Sequence, residues 1–446
     1  MQLKHVFCSA ALALLALAAP TYGQQVLRVD ELGTGGAFLD VQLAIDAAGD
    51  GDIVLVADGT YGGFTIDGKG VQVFAESGAA PVIKGPMLVS NLQSNQAAAL
   101  HGLSHENYAP ISFFTPTPLA PIIEVRDCLG SVHIQDCDLT STLSIFNPNS
   151  PGGILVGDSS EVVIEDTLLN SLDGASVGDG PRLFALLVEN SNVYAYGCTI
   201  VGPRGAVFRD EDDFLVVDDL PGSPAILMVG GTALLVDCQV TGGSGSNGTP
   251  TAFFGGGGTC GPTGPAAPAI LMLSGDSNPL VETIATTFSP GVQGDTAMLF
   301  LSPGMFQVCS GGPAATLATR IVAGSLVDLP LSARSLSTTP VARPGESKSL
   351  TLNAEPFDLA WIFFSLDPGL NIYAPVLSNV INPTPNQFAL FLGMLNGAGT
   401  KTKSFTLNPI GMDYIALYEQ AFYFNVVDGL TSSNPRVAAL IGLSAP

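Results

Sequence analysis

Six stretches of this chain open alike, and their spacing limits the fold more than any other feature. They are IIEV at Ile122, GILV at Gly153, ALLV at Ala185, AILM at Ala225, AILM at Ala269 and AMLF at Ala297. With Ile123, Ile154, Leu186, Ile226, Ile270 and Met298 as equivalent positions, the steps are 31, 32, 40, 44 and 28 residues. A second signature follows in five of them: Asp136-Cys137, Asp166-Thr167, Gly197-Cys198, Asp237-Cys238 and Glu282-Thr283. Each unit reads as strand, polar turn, strand, tight turn, then a loop of variable length. One such unit cannot bury its apolar face alone. Units stacked at about 4.8 Å per coil bury a continuous core. The variable parts, 141–152, 170–184, 201–224, 241–268 and 289–296, fall at one rung position. They therefore line one side of a solenoid, which is the candidate binding face.

The stretch from Phe38 to Ala75 closes the front of that repeat. Val41, Ile45 and Ala48 fall on one helical face, with Leu43 and Ala44 beside it. Asp40 is placed to cap this helix and Gly49 to end it. Three strand-like runs follow, Ile53–Val56, Phe64–Ile66 and Val71–Ala75, separated by Asp/Gly turns. The pieces LAIDAAGDGDIVLVADGTY and FTIDGKGVQVFA resemble the N-terminal cap and first coil of right-handed parallel β-helix proteins, the pectate-lyase-like superfamily. That resemblance implies an all-β solenoid with a capping helix. It implies little about activity, because the same cap sits on lyases, esterases, hydrolases, epimerases and non-catalytic surface proteins.

Residues 1–23 read as a secretory signal. Lys4 supplies the basic start, and Ala10–Ala19 is an apolar run too short to span a bilayer. Cleavage after Gly23 fits the small residues at Thr21 and Gly23. Cys8 precedes most of the apolar run and is no lipoprotein cysteine. No later run is long enough for a membrane span. A secreted, extracellular or cell-surface protein is expected. Six cysteines remain after cleavage: Cys128, Cys137, Cys198, Cys238, Cys260 and Cys309. Export permits disulfides. A Cys137–Cys198 bridge is excluded if the Thr167 coil lies between them, because two coils are about 9.6 Å apart. A Cys260–Cys309 bridge stays open.

Lys and Arg number 15 against 39 Asp and Glu. Such an acidic chain has no basic surface for phosphates, which argues against nucleic acid. A polysaccharide or a cell-surface glycan stays open as a partner. An anionic glycan would need divalent cations or local Arg and Lys. Nothing in the sequence fixes an oligomeric state.

The solenoid is expected over 24–310, with 76–121 supplying one or two early coils. Residues 311–345 read as a linker. From Glu346 the texture changes to about seven short strands, which suits a C-terminal antiparallel β-sandwich over 346–446. Trp361, in LAWIFF, is expected in its core rather than on a sugar-stacking platform.

The densest charge cluster is GPRGAVFRDEDDFLVVDD at 202–219. Arg204 and Arg209 are candidate catalytic cations. Asp210, Glu211, Asp212, Asp213, Asp218 and Asp219 are candidate binding carboxylates, with calcium possible at Asp212 and Asp213. A calcium-assisted lyase needs such a set: cations neutralise the uronate carboxylate while a base removes the α-proton. The motifs of the known enzymes are missing, however. There is no WxDH or RxPxxR of pectate lyases, no NTD, GHG or RIK of polygalacturonases, and no DPHE of epimerases. The GTY turn of pectin methylesterases is present at Gly59–Tyr61, but their QAVAL and DFIFG are absent. Asp136, Asp166, Asp237 and Glu282 form a second carboxylate row. They read as turn residues rather than a calcium ladder, since Gly197 holds the same position. His101 and His105, four apart on a strand, lie about 13 Å apart and are poorly placed for zinc. Three readings follow: a non-catalytic protein binding glycans or partners along the loop face, a divergent calcium-assisted polysaccharide lyase, and a structural scaffold of the cell envelope.

Overall fold

The structure is a computed structural model. It describes residues 25–105, 121–141, 153–171, 173–174, 184–205, 208–209, 216–217, 222–245, 250–251, 259–260, 266–292, 297–302, 305–309, 319–366, 387–407 and 414–441. The signal-like segment 1–23 lies outside them.

The chain is all-β and dominated by long parallel sheets, an arrangement compatible with a β-helix-like solenoid. Asp40 caps the helix Val41–Ala47 by accepting from Gln42 N at 2.8 Å. The helix ends at Ala48, one residue before the expected glycine. Val41, Ala44 and Ile45 are buried over the first coil, and Leu43 is exposed. Ten strands then form one parallel sheet, from Val26–Val29 through Ile53–Val56, Gln72–Ala75, Ala97–His101, Ser131–Gln135, Glu161–Glu165, Asn192–Tyr196, Thr232–Val236 and Leu280–Ile284 to Ser325–Asp328. The remaining sides carry two further parallel runs. One stacks Ile123–Arg126, Ile154–Gly157, Leu186–Glu189, Ile226–Val229, Ile270–Leu273 and Thr319–Ile321. The other stacks Ser104–His105, Asp138–Ser141, Leu168–Ser171, Thr199–Val201, Gln239–Thr241 and Thr287–Ser289. The long strand Val82–Ser90 pairs with both runs and joins them. Residues 76–105 thus build the early coils. Alternate side chains point inward and form one continuous core, including Val54, Ile83, Ile134, Ile164 and Val193.

The register corrects two readings of the repeat. Ile123, Ile154, Leu186, Ile226 and Ile270 are equivalent, but the next rung begins at Thr319. Ala297–Ser302 folds back on Met305–Cys309 as an antiparallel hairpin instead. Glu282 pairs with Leu234 and Thr283 with Leu235, so the residues equivalent to Asp237 and Cys238 are Ala285 and Thr286.

Two corners of each coil are left-handed. Asp136, Asp166, Gly197, Asp237 and Ala285 occupy one, with φ of 52°, 44°, 62°, 53° and 50°. Asn91, Asp127, Asp158, Asn190 and Gly230 occupy the other. Asp, Asn and Gly tolerate this region best, which explains the recurring Asp. Gly197 has a second reason. A Cβ there would lie 2.4 Å from the Asp166 carboxylate. After every corner but Asn91 and Gly230 the next residue is a Ser, Thr or Cys whose hydroxyl or thiol bonds backbone groups of the coils. Ser191 Oγ accepts from Ser159 N, and Ser159 Oγ from Cys128 N. Thr167 Oγ1 likewise accepts from Cys137 N. The inward stack of small side chains is therefore also a hydrogen-bonded ladder.

After the last rung, Leu329, Leu331 and Ala333 pack over Tyr196, Leu234, Val236 and Ile284 on the outer face of the ten-stranded sheet. The segment 311–345 thus includes the rung Thr319–Asp328 and the strands Ser335–Thr338 and Val341–Ala342. Beyond it two sheets face each other. One holds Ser335–Thr338, Ser347–Asn353 and Thr400–Thr406. The other runs Val341–Ala342, Gly429–Ile441, Tyr414–Asn425, Leu359–Ser365 and Gln387–Met394. Leu336, Leu350 and Leu352 from the first meet Ala360, Ile362, Phe364 and Tyr423 from the second. Trp361 is not in this core. Strand alternation buries Ala360 and Ile362 and turns Trp361 outward, half-buried, with its ring 5.2 Å from that of the exposed Phe391.

Candidate functional site

The third strand of each coil, from Asp138–Ser141 to Thr287–Ser289, stacks in register. The C-terminal ends of these strands therefore fall along one edge, and most of the residues that follow them lie outside the described residues. Arg204 lies on this edge, half-buried, in a short strand Arg204–Gly205 that pairs with Asp173–Gly174. Arg209 pairs with Val216 and Phe208 with Val217 in antiparallel register. Asp210, Glu211, Asp212, Asp213, Asp218 and Asp219 lie outside the described residues. The calcium expected at Asp212 and Asp213 falls there too. Among the described residues, no group of three or more His, Cys, Asp or Glu is arranged to hold a metal ion. His101 and His105 stand on different strands either side of the Gly102 corner, both buried.

The strongest polar constellation lies elsewhere, where the C-terminal sheets meet the ten-stranded sheet. Val341, Tyr418, Val437, Ala439 and Ile441 pack on Val26, Ile53, Leu55, Phe74, Ala97 and Ala99. Beside this apolar contact, Arg436 enters the corner of the solenoid at 5% exposure. Its guanidinium donates to Asp136 Oδ2 at 3.1 Å and to Asp166 Oδ2, and Nε donates to Leu336 O at 3.1 Å. Glu165 Oε2 stands 3.7 Å from Nε. His101 Nε2 meets Asp136 Oδ2 at 2.9 Å, and Gln135 Nε2 donates to Glu165 Oε2. Gln72 Nε2 donates to Tyr418 Oη at 3.1 Å, and the ring of His133 lies 6.0 Å from that of Tyr418. Two members of the row of corner aspartates, Asp136 and Asp166, therefore bind an arginine of their own chain. Adjacent members of the row are about one coil apart, which matches the span of a guanidinium fork.

The electrostatics of this contact are opposed. Burial pushes the Glu165 carboxyl from 4.5 up to about 8, although Arg436 draws it down. Burial would also raise Asp136, but the His101 hydrogen bond and the Arg436 charge outweigh it and hold that carboxyl below its ordinary range. Burial drives the His133 imidazole from 6.5 down to about 3. A carboxyl with a raised folded pKa stabilises at low pH, and that stabilisation is lost as pH rises from 4.5 through 8. A histidine with a depressed folded pKa stabilises above 6.5, and that stabilisation is lost as pH falls towards 3. Between about pH 4.5 and 6.5 the two slopes cancel, each about 1.4 kcal/mol per pH unit. Urea unfolding across pH is therefore expected to show a plateau in that window and a decline on both sides. Glu165→Gln should flatten the alkaline decline and His133→Asn should soften the acid one. Unchanged limbs in both variants would remove these groups from the account.

Sequence reasoning singled out the Asp136 row as turn chemistry, and the left-handed corners agree. It missed the partner, Arg436, and did not single out Glu165 or Gln135. Two signals pointed to a covering layer: the unbroken apolar strand Ile53–Val56 and the polar His133 and Gln135 inside a buried strand. No helix among the described residues is long and apolar enough to cross a membrane. No family model matches the chain, and no curated protein matches it.

Proposed function

We propose that this chain is an exported right-handed parallel β-helix of the pectate-lyase-like type, carrying a C-terminal β-sandwich, that binds a polysaccharide or cell-surface glycan without turnover. The observation that supports this reading is the in-register stack of the third strands, whose ends fall along one edge. The C-terminal sheets cover much of the ten-stranded face, and the corner carboxylates Asp136 and Asp166 are engaged by Arg436. The loop edge is then the extended surface left for a long ligand, as in other solenoids. Arg204, Arg209 and the acidic residues of 210–219 are its charged contacts, with calcium as the bridge to an anionic glycan.

The test is a panel of neutral and uronate polysaccharides, read both for retention and for absorbance at 235 nm, with calcium and with a chelator. Retention without unsaturated product is expected. Arg209→Ala should weaken it about 10-fold, the worth of one charge-assisted hydrogen bond. Unsaturated product that disappears in Arg209→Ala would replace this reading with the calcium-assisted lyase. No retention of any glycan would leave the envelope scaffold.

A further inference from the structure

We infer that Cys198 and Cys238, on neighbouring coils, are joined by a disulfide in the exported protein. The two residues follow equivalent left-handed corners at Gly197 and Asp237. The strands after them are paired in register, Thr199 with Gln239 and Ile200 with Val240. Gln239 N donates to Cys198 O at 2.9 Å, which fixes the two corners one rung apart. Neighbouring strands run about 4.8 Å apart, inside the Cα separation a disulfide spans. Each thiol at this corner leans toward the preceding coil. Cys198 Sγ reaches Ile164 O at 3.4 Å, and Cys238 Sγ reaches Ala195 O at 3.5 Å. Cys238 therefore leans into the coil that carries Cys198, and in the structure both side chains stand as buried free thiols. Cys137 has no such neighbour. The rung between it and Cys198 carries Thr167, since Asp138 pairs with Leu168 and Leu168 with Thr199. Cys128 stands in the other corner ladder, stacked on Ser159.

Both thiols are 1% exposed, so the bond must form before the two coils close over them. The oxidant is a protein or small-molecule disulfide of the export compartment. One cysteine thiolate attacks it, forming a mixed disulfide and expelling one oxidant thiol. The second cysteine thiolate attacks the cysteine sulfur of that mixed disulfide. The S–S bond forms and the second oxidant thiol leaves. The two protons of the cysteines end on the two oxidant thiols, which carry away the two electrons. The inference goes beyond glycan binding and rests on export alone.

The experiment is secretion of the full chain with its own leader, then denaturation in iodoacetamide without reductant and peptide mapping by mass spectrometry. A peptide pair joined through Cys198 and Cys238, 2 Da below the sum of its free peptides, is expected. Dithiothreitol should separate it, and Cys238→Thr should abolish it. Threonine fits this corner, since Thr167 and Thr286 occupy equivalent positions. Recovery of both cysteines singly alkylated, or either one bridged elsewhere, would overturn the inference. Retention of glycan by the same preparation is read separately, so the two proposals fail independently.

Discussion

Arg436→Ala is expected to lower the stability of the C-terminal sheets on the solenoid by about 3 kcal/mol. The change removes the guanidinium that ties Asp136 to Asp166 and that draws the buried Glu165 carboxyl down from a still higher pKa. Loss of one partner from a buried pair costs about 3–5 kcal/mol. The lower part of that range applies, because the Asp136 and Asp166 side chains are 42% and 46% exposed and recover hydration when the arginine is gone. Calorimetry should show the C-terminal transition moving down by several degrees. Limited proteolysis should open sites near Leu329–Ala333, where the chain crosses from the last rung. Arg436→Lys should fall between the two proteins. Lysine keeps the charge but has no planar fork to reach both aspartates. The apolar contact of Tyr418, Val437 and Ile441 with Ile53, Leu55 and Phe74 remains in every variant, so the domain loosens rather than detaches. An Arg436→Ala protein that melts and resists protease like the parent would show that the apolar contact alone holds the two parts together.

How much of this was legible follows from the range of the interactions. The coils were readable because each rung restates one pattern, with Ile123, Ile154, Leu186, Ile226 and Ile270 all inward. The pattern misled where composition imitated it. Ala297–Ser302 has the apolar texture of a rung, yet its partners are the residues just after it, so local hairpin pairing won. LVET resembles LVDC, but the ladder sets Thr283 against Leu235. The true corner falls at Ala285, whose φ of 50° no side chain announces. The core of the C-terminal sheets was readable as alternation, but not which face of Trp361 would be covered. That depends on the partner sheet, and the sheet packs on Ala360 and Ile362. The Arg436 contact was the least legible. Asp136 and Asp166 lie 300 and 270 residues before it, and no local rule joins them. What the sequence did carry was indirect. Strands apolar on both faces, such as Ile53–Val56, require a second layer, and that layer had to come from elsewhere in the chain.

Inside the C-terminal sheets, Lys348→Met alone is expected to cost about 3–5 kcal/mol, whereas Lys348→Met with Glu419→Leu should recover most of that loss. Lys348 and Glu419 are 0% and 1% exposed, and Nζ stands 2.9 Å from Oε1. Lys348 is well supplied, donating also to Thr338 Oγ1 at 2.6 Å and Thr339 O at 3.0 Å. Glu419 is not. Among the described residues neither of its oxygens accepts a hydrogen bond beyond that ion pair. Removal of the lysine therefore strands a carboxylate in a dry site, while removal of both replaces two desolvated charges with apolar volume. The asymmetry makes the order of the single variants informative. Glu419→Leu should be the milder change, because Thr338 and Thr339 still receive the ammonium. A urea double-mutant cycle measures this directly. Near-additive losses would mean that the two charges act separately. A double variant at or above parental stability would place the value of the pair in specificity. Lys348 stands on the three-stranded sheet and Glu419 on the five-stranded one, and a charge pair that satisfies itself at one alignment selects how those sheets face each other.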